Sequence, residues 1–318
     1  MRIPKTLLIW GLVCSAACAQ SAADARFRDS DRNDAAKPKE SSEQASRFKV
    51  HTNLAYVNSG HERQVLDLTL PASKTTQKPP LVVFIHGGGW QNGSKDGAPI
   101  GPLVEAGFAT AAINYRLSRH ARFPAQIYDC KAAIRWLRAH GDEYGYDGSR
   151  IGVWGTSAGG HLVALLGTSG DVTALEGNLG ETGISSRVQA VCDHFGPTDF
   201  LKMDEQAGSQ GQIKHDEPKS PESLLIGGPI QEMRETVQSA SPLSYVTADD
   251  PPFFIVHGDQ DRLVPVQQSE RLHQLLTEAK VESKLKIVKG AGHGQFKDPT
   301  VRTSLIEFFV RTLRLDQK

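Results

Sequence analysis

The chain has 318 residues, 39% hydrophobic and 23% charged, with 36 basic side chains set against 36 acidic ones. That balance excludes the basic excess of a nucleic-acid binder and the core-less composition of a disordered chain, and it points to no anionic surface as a partner. The length suits one large α/β domain or two modest ones.

The first residues differ from the rest. Arg2 and Lys5 precede an apolar run from Leu7 to Val13, followed by small residues ending in Ala17-Cys18-Ala19. This is the layout of a secretory signal (residues 1–19) cleaved after Ala19, so the mature protein is expected to be exported, periplasmic or secreted. The run is too short for a stable membrane span. A second reading makes Cys18 a lipid-attachment cysteine, because Ser15 to Cys18 has that outline; it lacks the large aliphatic residue such sites carry three places earlier. Residues 20–47 hold almost no large apolar side chain and read as a disordered linker.

The domain, residues 48–318, is expected to begin with two strand-like runs, Lys49–Val57 and Gln64–Leu70. Leu81–Ile85 is continuously apolar, as a central strand covered on both faces must be. A helix near Ile100–Ala106 and a strand at Ala109–Asn114 follow, then an amphipathic helix, Pro124–His140, with Ile127, Ile134 and Leu137 at helical spacing. Ile151–Trp154 reads as a buried strand, Leu162–Leu166 as an apolar helix and Val188–Phe195 as a strand. Asp199–Ser241 has weak periodicity and many polar, Gly and Pro residues, and reads as an insertion over the C-terminal edge of the sheet. Phe253–Val256 (strand), Ser269–Ala279 (helix), Lys284–Val288 (strand) and Arg302–Leu313 (helix) complete the chain. Strands alternating with helices imply a mostly parallel sheet, layered on both sides, with ligands at the carboxyl ends of its strands. Cys130 and Cys192 read as two separate core thiols, although an export signal would permit a disulfide.

The stretch on which the rest depends is Gly155-Thr156-Ser157-Ala158-Gly159, a G-x-S-x-G between a strand and a helix. Such a nucleophile elbow holds a serine hydroxyl clear of the sheet at a helix N-terminus. A serine hydroxyl is a weak nucleophile at neutral pH and needs a base, which in turn needs an orienting group. His293, between glycines after a late strand, is the expected base. Asp261 is the expected acid, and Asp259, closer to the strand, is expected to tie down the turn. His86 and His257 sit at strand ends and are expected to brace loops. His161 falls inside the elbow helix, and His51, His215 and His273 are expected to face solvent. Attack on an acyl carbon also needs fixed N–H donors for the developing oxyanion. His86-Gly87-Gly88-Gly89-Trp90 supplies them without side chains in the way, which assigns Gly87 and Gly88 as donors together with Ala158. Trp90 is either a wall of the substrate pocket or core packing.

Taken together, HGGGW, GTSAGG, HGDQDRLVP and GAGHG, in this order, resemble the α/β-hydrolase superfamily, and within it the BD-FAE-like and hormone-sensitive-lipase-like carboxylesterases. The likeness runs from about Tyr56 to Leu313 and includes Asn114-Tyr115-Arg116-Leu117 and Phe195-Gly196-Pro197-Thr198-Asp199. Where the lipase-like branch commonly carries an acidic residue before its serine, this chain has Thr156, which favours the BD-FAE-like group. The resemblance implies an eight-stranded α/β-hydrolase fold with a small insertion, and acyl transfer on small esters, among them acetyl or feruloyl esters of polysaccharides. It implies no metal and no organic cofactor, and a small-molecule or polysaccharide-linked ester as partner. The alternatives are a serine peptidase or amidase of the prolyl-oligopeptidase-like or formamidase-like type, and a non-catalytic binding protein on the same fold.

Overall fold

The computed structural model describes residues 48–72, 77–294 and 296–314; the expected signal and linker lie outside them. Eight strands form one open sheet: β1 (Phe48–Ala55), β2 (Val65–Pro71), β3 (Pro80–Ile85), β4 (Ala109–Ile113), β5 (Asp147–Thr156), β6 (Ala190–His194), β7 (Phe253–Gly258) and β8 (Ser283–Val288). Their spatial order is β1-β2-β4-β3-β5-β6-β7-β8. The first two strands pair antiparallel, β2 pairs antiparallel with β4, and from β4 to β8 every pairing is parallel.

The apolar runs work by period-two alternation between two cores. On β3, Leu81, Val83 and Ile85 face one side, packed with Ile127 and Ile134 of the helix Ala125–Ala139 and with Leu162 and Leu165 of the helix Ala158–Thr168. Val82 and Phe84 face the other side, against Leu103 of the helix Gly101–Glu105 and Leu305 and Phe309 of the helix Pro299–Leu313. Both faces are covered, which is why the central strands carry no polar face. Cys130 belongs to the first core and Cys192 to the second; both thiols are buried and free.

Sequence periodicity locates these layers but misses short pieces. Gly141–Tyr144 and Thr173–Glu176 are single helical turns inside connections, and the elbow helix starts at Ala158 rather than Leu162. Its opening glycines are poor helix formers, held there by tertiary packing. The insertion is built of short helices, Met203–Ala207, Pro221–Ile226 and Arg234–Ala240. It rests on loops at the carboxyl ends of β3 and β7: Pro221 stands beside Gly89, and the His215 ring donates to the Leu263 carbonyl at 3.0 Å.

Candidate active site

Ser157 sits at the junction of β5 and the elbow helix with φ 55° and ψ −121°. A side chain in that region is strained by about 1–3 kcal/mol and persists only where the surroundings impose it. Here the Ser157 N–H donates to the His194 carbonyl on β6 (2.9 Å), and the Ser157 carbonyl accepts from the His161 N–H (3.0 Å). Gly159 completes the turn because a Cβ there would lie 2.1 Å from the Ile85 carbonyl oxygen.

Three other strand ends converge on that hydroxyl. His293, after β8, places Nε2 3.0 Å from Ser157 Oγ and Nδ1 2.7 Å from Asp261 Oδ2, on the loop after β7. With the carboxylate as acceptor, Nδ1 carries the proton and Nε2 is left to receive one from Ser157. Asp261 Oδ1 accepts from the N–H groups of Leu263 and Val264, both at 2.9 Å. Burial alone would push its carboxyl up. Bonds from His257 and His293, the charge of His293 and the Val264 N–H outweigh burial and hold it well below the usual carboxylate range. Asp259 is elsewhere, accepting from the Gly290 N–H at 2.7 Å. Other histidines near the serine are unsuited to its proton. Burial pulls His194 down to about 3 and His161 to about 4, and His161 Nε2 is engaged with the Ala240 carbonyl at 2.7 Å.

The glycine loop after β3 lies against the nucleophile. A Cβ on Gly87 would stand 2.7 Å from the Thr156 carbonyl and 3.2 Å from Ser157 Cβ. Gly87 and Gly88 share one cavity of about 990 Å³ with Ser157 and His293. Ala158 is the first residue of the elbow helix, so its N–H has no acceptor within the helix. Phe84, Trp154, Phe195 and Phe296 contribute aromatic surface to the cavity lining.

Trp90 requires a correction: it is core and not pocket wall. It is 1% exposed, with its indole edge-on to His161 (5.3 Å) and Phe200 (5.4 Å), and at that point the cavity is lined by Gly89 and Gln91. The cause is local: Trp90 has φ 56°, which turns its side chain off the loop and under the elbow helix.

The BD-FAE family model matches residues 66–276. The chain belongs to the BD-FAE family. Esterase LipC of Mycobacterium tuberculosis is 32% identical over 235 residues, covering 73% of this chain and 57% of that protein. A probable carboxylic ester hydrolase, LipM, of the same organism is 34% identical over 63% of this chain and 45% of its own length, so the chain spans about half the length of the curated relatives it matches. Among solved structures, a truncated carbohydrate esterase from gut microbiota has 33% identity and a TM-score of 0.76, covering 85% of this chain and 98% of that one. The bifunctional GH43-CE protein of Bacteroides eggerthii has 35% identity and a TM-score of 0.75, over 83% of this chain and 38% of its own. The open, mostly parallel sheet is thus the α/β-hydrolase fold.

Around this BD-FAE site stand residues that no motif announced. Arg63, just before β2, donates to the Tyr115 carbonyl (2.8 Å), the Gly93 carbonyl (2.9 Å) and His86 Nε2 (3.1 Å). A guanidinium can only donate, so His86 Nε2 accepts and its Nδ1–H is left for the Gly87 carbonyl at 2.8 Å. Burial, together with Arg63, lowers His86 to about 4 and keeps it neutral. His215, expected at the surface, is instead 1% exposed, with Nδ1 3.1 Å from Glu222 Oε2, an ion pair rather than an aligned hydrogen bond. Its burial partner lies on a helix too short to show periodicity, so no sequence signal pointed inward. Among the described residues one cluster has metal-ligand composition, His61, Glu62 and His120, with ligand atoms within 4.8 Å of one another. Both rings there accept a backbone N–H at Nδ1, from Arg63 (3.1 Å) and Leu117 (3.2 Å). His120 Nε2 in addition faces the Arg119 guanidinium at 3.2 Å, a cationic donor standing where a metal ion would have to bind.

Proposed function

We propose that this chain is a serine carboxylic-ester hydrolase. The observation that carries the reading is the hydrogen-bonded line from Ser157 Oγ through His293 to Asp261, at 3.0 and 2.7 Å, beside the glycine loop. In it, His293 Nε2 takes the Ser157 proton as the oxygen attacks the ester carbon. The N–H groups of Gly87, Gly88 and Ala158 receive the oxyanion, and Asp261 stabilises the imidazolium. His293 then protonates the departing alcohol, and water, activated by the same base, frees the acid from Ser157.

The substrates are small esters, among them acetyl or feruloyl esters of polysaccharides. The cavity, about 990 Å³ with Phe84, Trp154, Phe195 and Phe296 in its lining, has room for an aryl acyl group as well as for acetyl, and the carbohydrate-esterase name of the gut-microbiota structure above supports a sugar-borne ester. Export through residues 1–19 suits such extracellular polymers, and the N-terminal sequence of the purified protein, expected to start at Gln20, tests it.

Ser157→Ala is expected to abolish hydrolysis of p-nitrophenyl acetate while leaving the far-UV circular dichroism unchanged; an unchanged rate would remove Ser157 from the mechanism. Acetylated xylan and methyl ferulate, assayed beside an aminoacyl amide, separate ester from amide hydrolysis and name the acyl group.

A further inference from the structure

Asp261 has two histidines on one oxygen. His293 Nδ1 lies 2.7 Å from Oδ2, and His257 Nε2 lies 3.3 Å from the same atom. His257 is the penultimate residue of β7 and is fully buried. The protonation of its ring follows from its neighbours. Nε2 is 2.9 Å from the Val264 carbonyl, which can only accept, so Nε2 carries a proton. Nδ1 is 2.7 Å from Ser269 Oγ, whose hydroxyl serves as donor to a neutral ring. The Nε2–H is therefore directed to Val264 O, with Asp261 Oδ2 within 3.3 Å of the same nitrogen. The amides of Leu263 and Val264 occupy Oδ1, leaving Oδ2 as the oxygen the two rings hold.

We propose that His257 is a positioning residue for the Ser157–His293–Asp261 machinery: through its Nε2–H it holds the Asp261 carboxylate in the plane that meets His293 and tempers the basicity of Oδ2. The proposal rests on the serine-hydrolase reading above. The Nε2–H dipole of His257, 3.3 Å from Oδ2, stabilises part of its charge, so Oδ2 pulls less on the His293 proton than it would with His293 as its only polar neighbour. The groups that face His257 are Asp261 and Val264 on the loop after β7, Ser269 on the helix Gln267–Glu278, Asp193 on β6 and the Phe195 ring at 6.4 Å. Asp261 is the polar group among them that touches the base, the Phe195 ring meeting His293 edge-on at 4.7 Å as an apolar contact, so the carboxylate is the electrostatic route by which His257 acts.

The test is a double-mutant cycle with p-nitrophenyl acetate. His257→Phe keeps the ring shape and removes the N–H. It is expected to lower kcat about tenfold, the lower end of what a hydrogen bond to a charged group is worth, with KM nearly unchanged. The acidic limb of the kcat/KM profile should move to higher pH, because Oδ2 then holds the His293 proton more firmly. His257→Gln, whose side-chain amide restores a donor near Nε2, should recover most of the rate and the limb. In an Asp261→Asn background His257→Phe should cost little further. An equal loss in both backgrounds, or a His257→Phe enzyme at the wild-type rate, would overturn the proposal. If His257→Phe does not fold, as read by circular dichroism, His257→Leu, which likewise has no N–H to offer, takes its place: a limb displaced to higher pH supports the proposal, and a limb at the wild-type position overturns it. Failure of the underlying reading shows separately, as activity retained in Ser157→Ala.

Discussion

The two loops that flank Ser157 are held in opposite ways. The donor loop after β3 is fastened along its length. Arg63 grips it at Gly93 and His86, and Tyr115 stacks on His86 at 4.4 Å while its hydroxyl donates to the His86 carbonyl at 3.0 Å. Asn114 Oδ1 accepts from the Lys95 N–H at 2.6 Å, and Lys95 Nζ pairs with Asp67 at 2.9 Å. Among its described residues, the base loop after β8 is held by hydrogen bonds where Gly290 N–H meets Asp259, where the Ala291 carbonyl accepts from the Gln260 N–H at 2.9 Å and at the His293 ring, with the Phe296 ring packed on Phe195 at 5.5 Å. The difference follows the chemistry. N–H dipoles stabilise an oxyanion only if they are already aimed when the charge appears, because turning them then would consume the gain. A base that takes a proton from one atom and returns it to another needs only its ring fixed, and two hydrogen bonds along one line do that.

The largest way to break this contrast is Gly87→Ala. Its new Cβ would collide with the Thr156 carbonyl at 2.7 Å, so the loop has to move away from the nucleophile. The expected loss is about 10²–10³ in kcat, as for deletion of one oxyanion donor, with KM little altered. A kcat within tenfold of wild type, measured on p-nitrophenyl acetate, would mean that the loop is not where the charge develops. Arg63→Met probes the fastening and not the donor. Its half-buried guanidinium serves four acceptors at once, so the variant should lose about 1–3 kcal/mol of stability in urea unfolding and about tenfold in kcat. Arg63→Lys should not rescue it, since a single ammonium cannot span the fork. Fluorophosphonate labelling of Ser157 that slows in step with kcat would tie the loss to the site.

How far the sequence reveals all this depends on whether a residue's role is written locally. The strand Leu81–Ile85 and the helix Pro124–His140 show their burial in their periodicity, and the structure has β3 at Pro80–Ile85 and the helix at Ala125–Ala139. The chemistry-bearing motifs are legible because each follows a strand, and parallel strands deliver their carboxyl ends to one edge. Trp90 is different. Its motif fixes where the backbone runs, but a positive φ decides which way the indole points, and no pattern in HGGGW encodes that. Arg63 is a single residue in a turn whose partners lie 23 to 52 positions away, beyond any local spacing. His215 sits where the helices are only five to seven residues long, too short for a moment to develop.

That buried histidine extends the contrast to the acid side of the site. His215 donates through Nε2 to the Leu263 carbonyl, and Leu263 in turn donates its N–H to Asp261, so the insertion holds the acid loop much as Arg63 holds the donor loop. Burial pulls His215 down, but Glu222, Asp204 and the Leu263 carbonyl outweigh it and leave the ring raised above its ordinary value. Asp204 also accepts the His215 and Asp216 N–H groups, at 2.9 and 3.1 Å, so its carboxylate is fixed beside the ring. A histidine raised in the folded state contributes stability that is fully present below its unfolded value, about 6.5, and is lost as pH climbs through the folded one. Thermal unfolding of the wild type should therefore fall between pH 6 and pH 9 by about 2 °C more than that of His215→Gln, the shift expected for about 1 kcal/mol in a domain of this size. Parallel pH curves for the two proteins would mean that the pair carries no proton-linked stability, and that the acid loop is held by the Leu263 hydrogen bond alone.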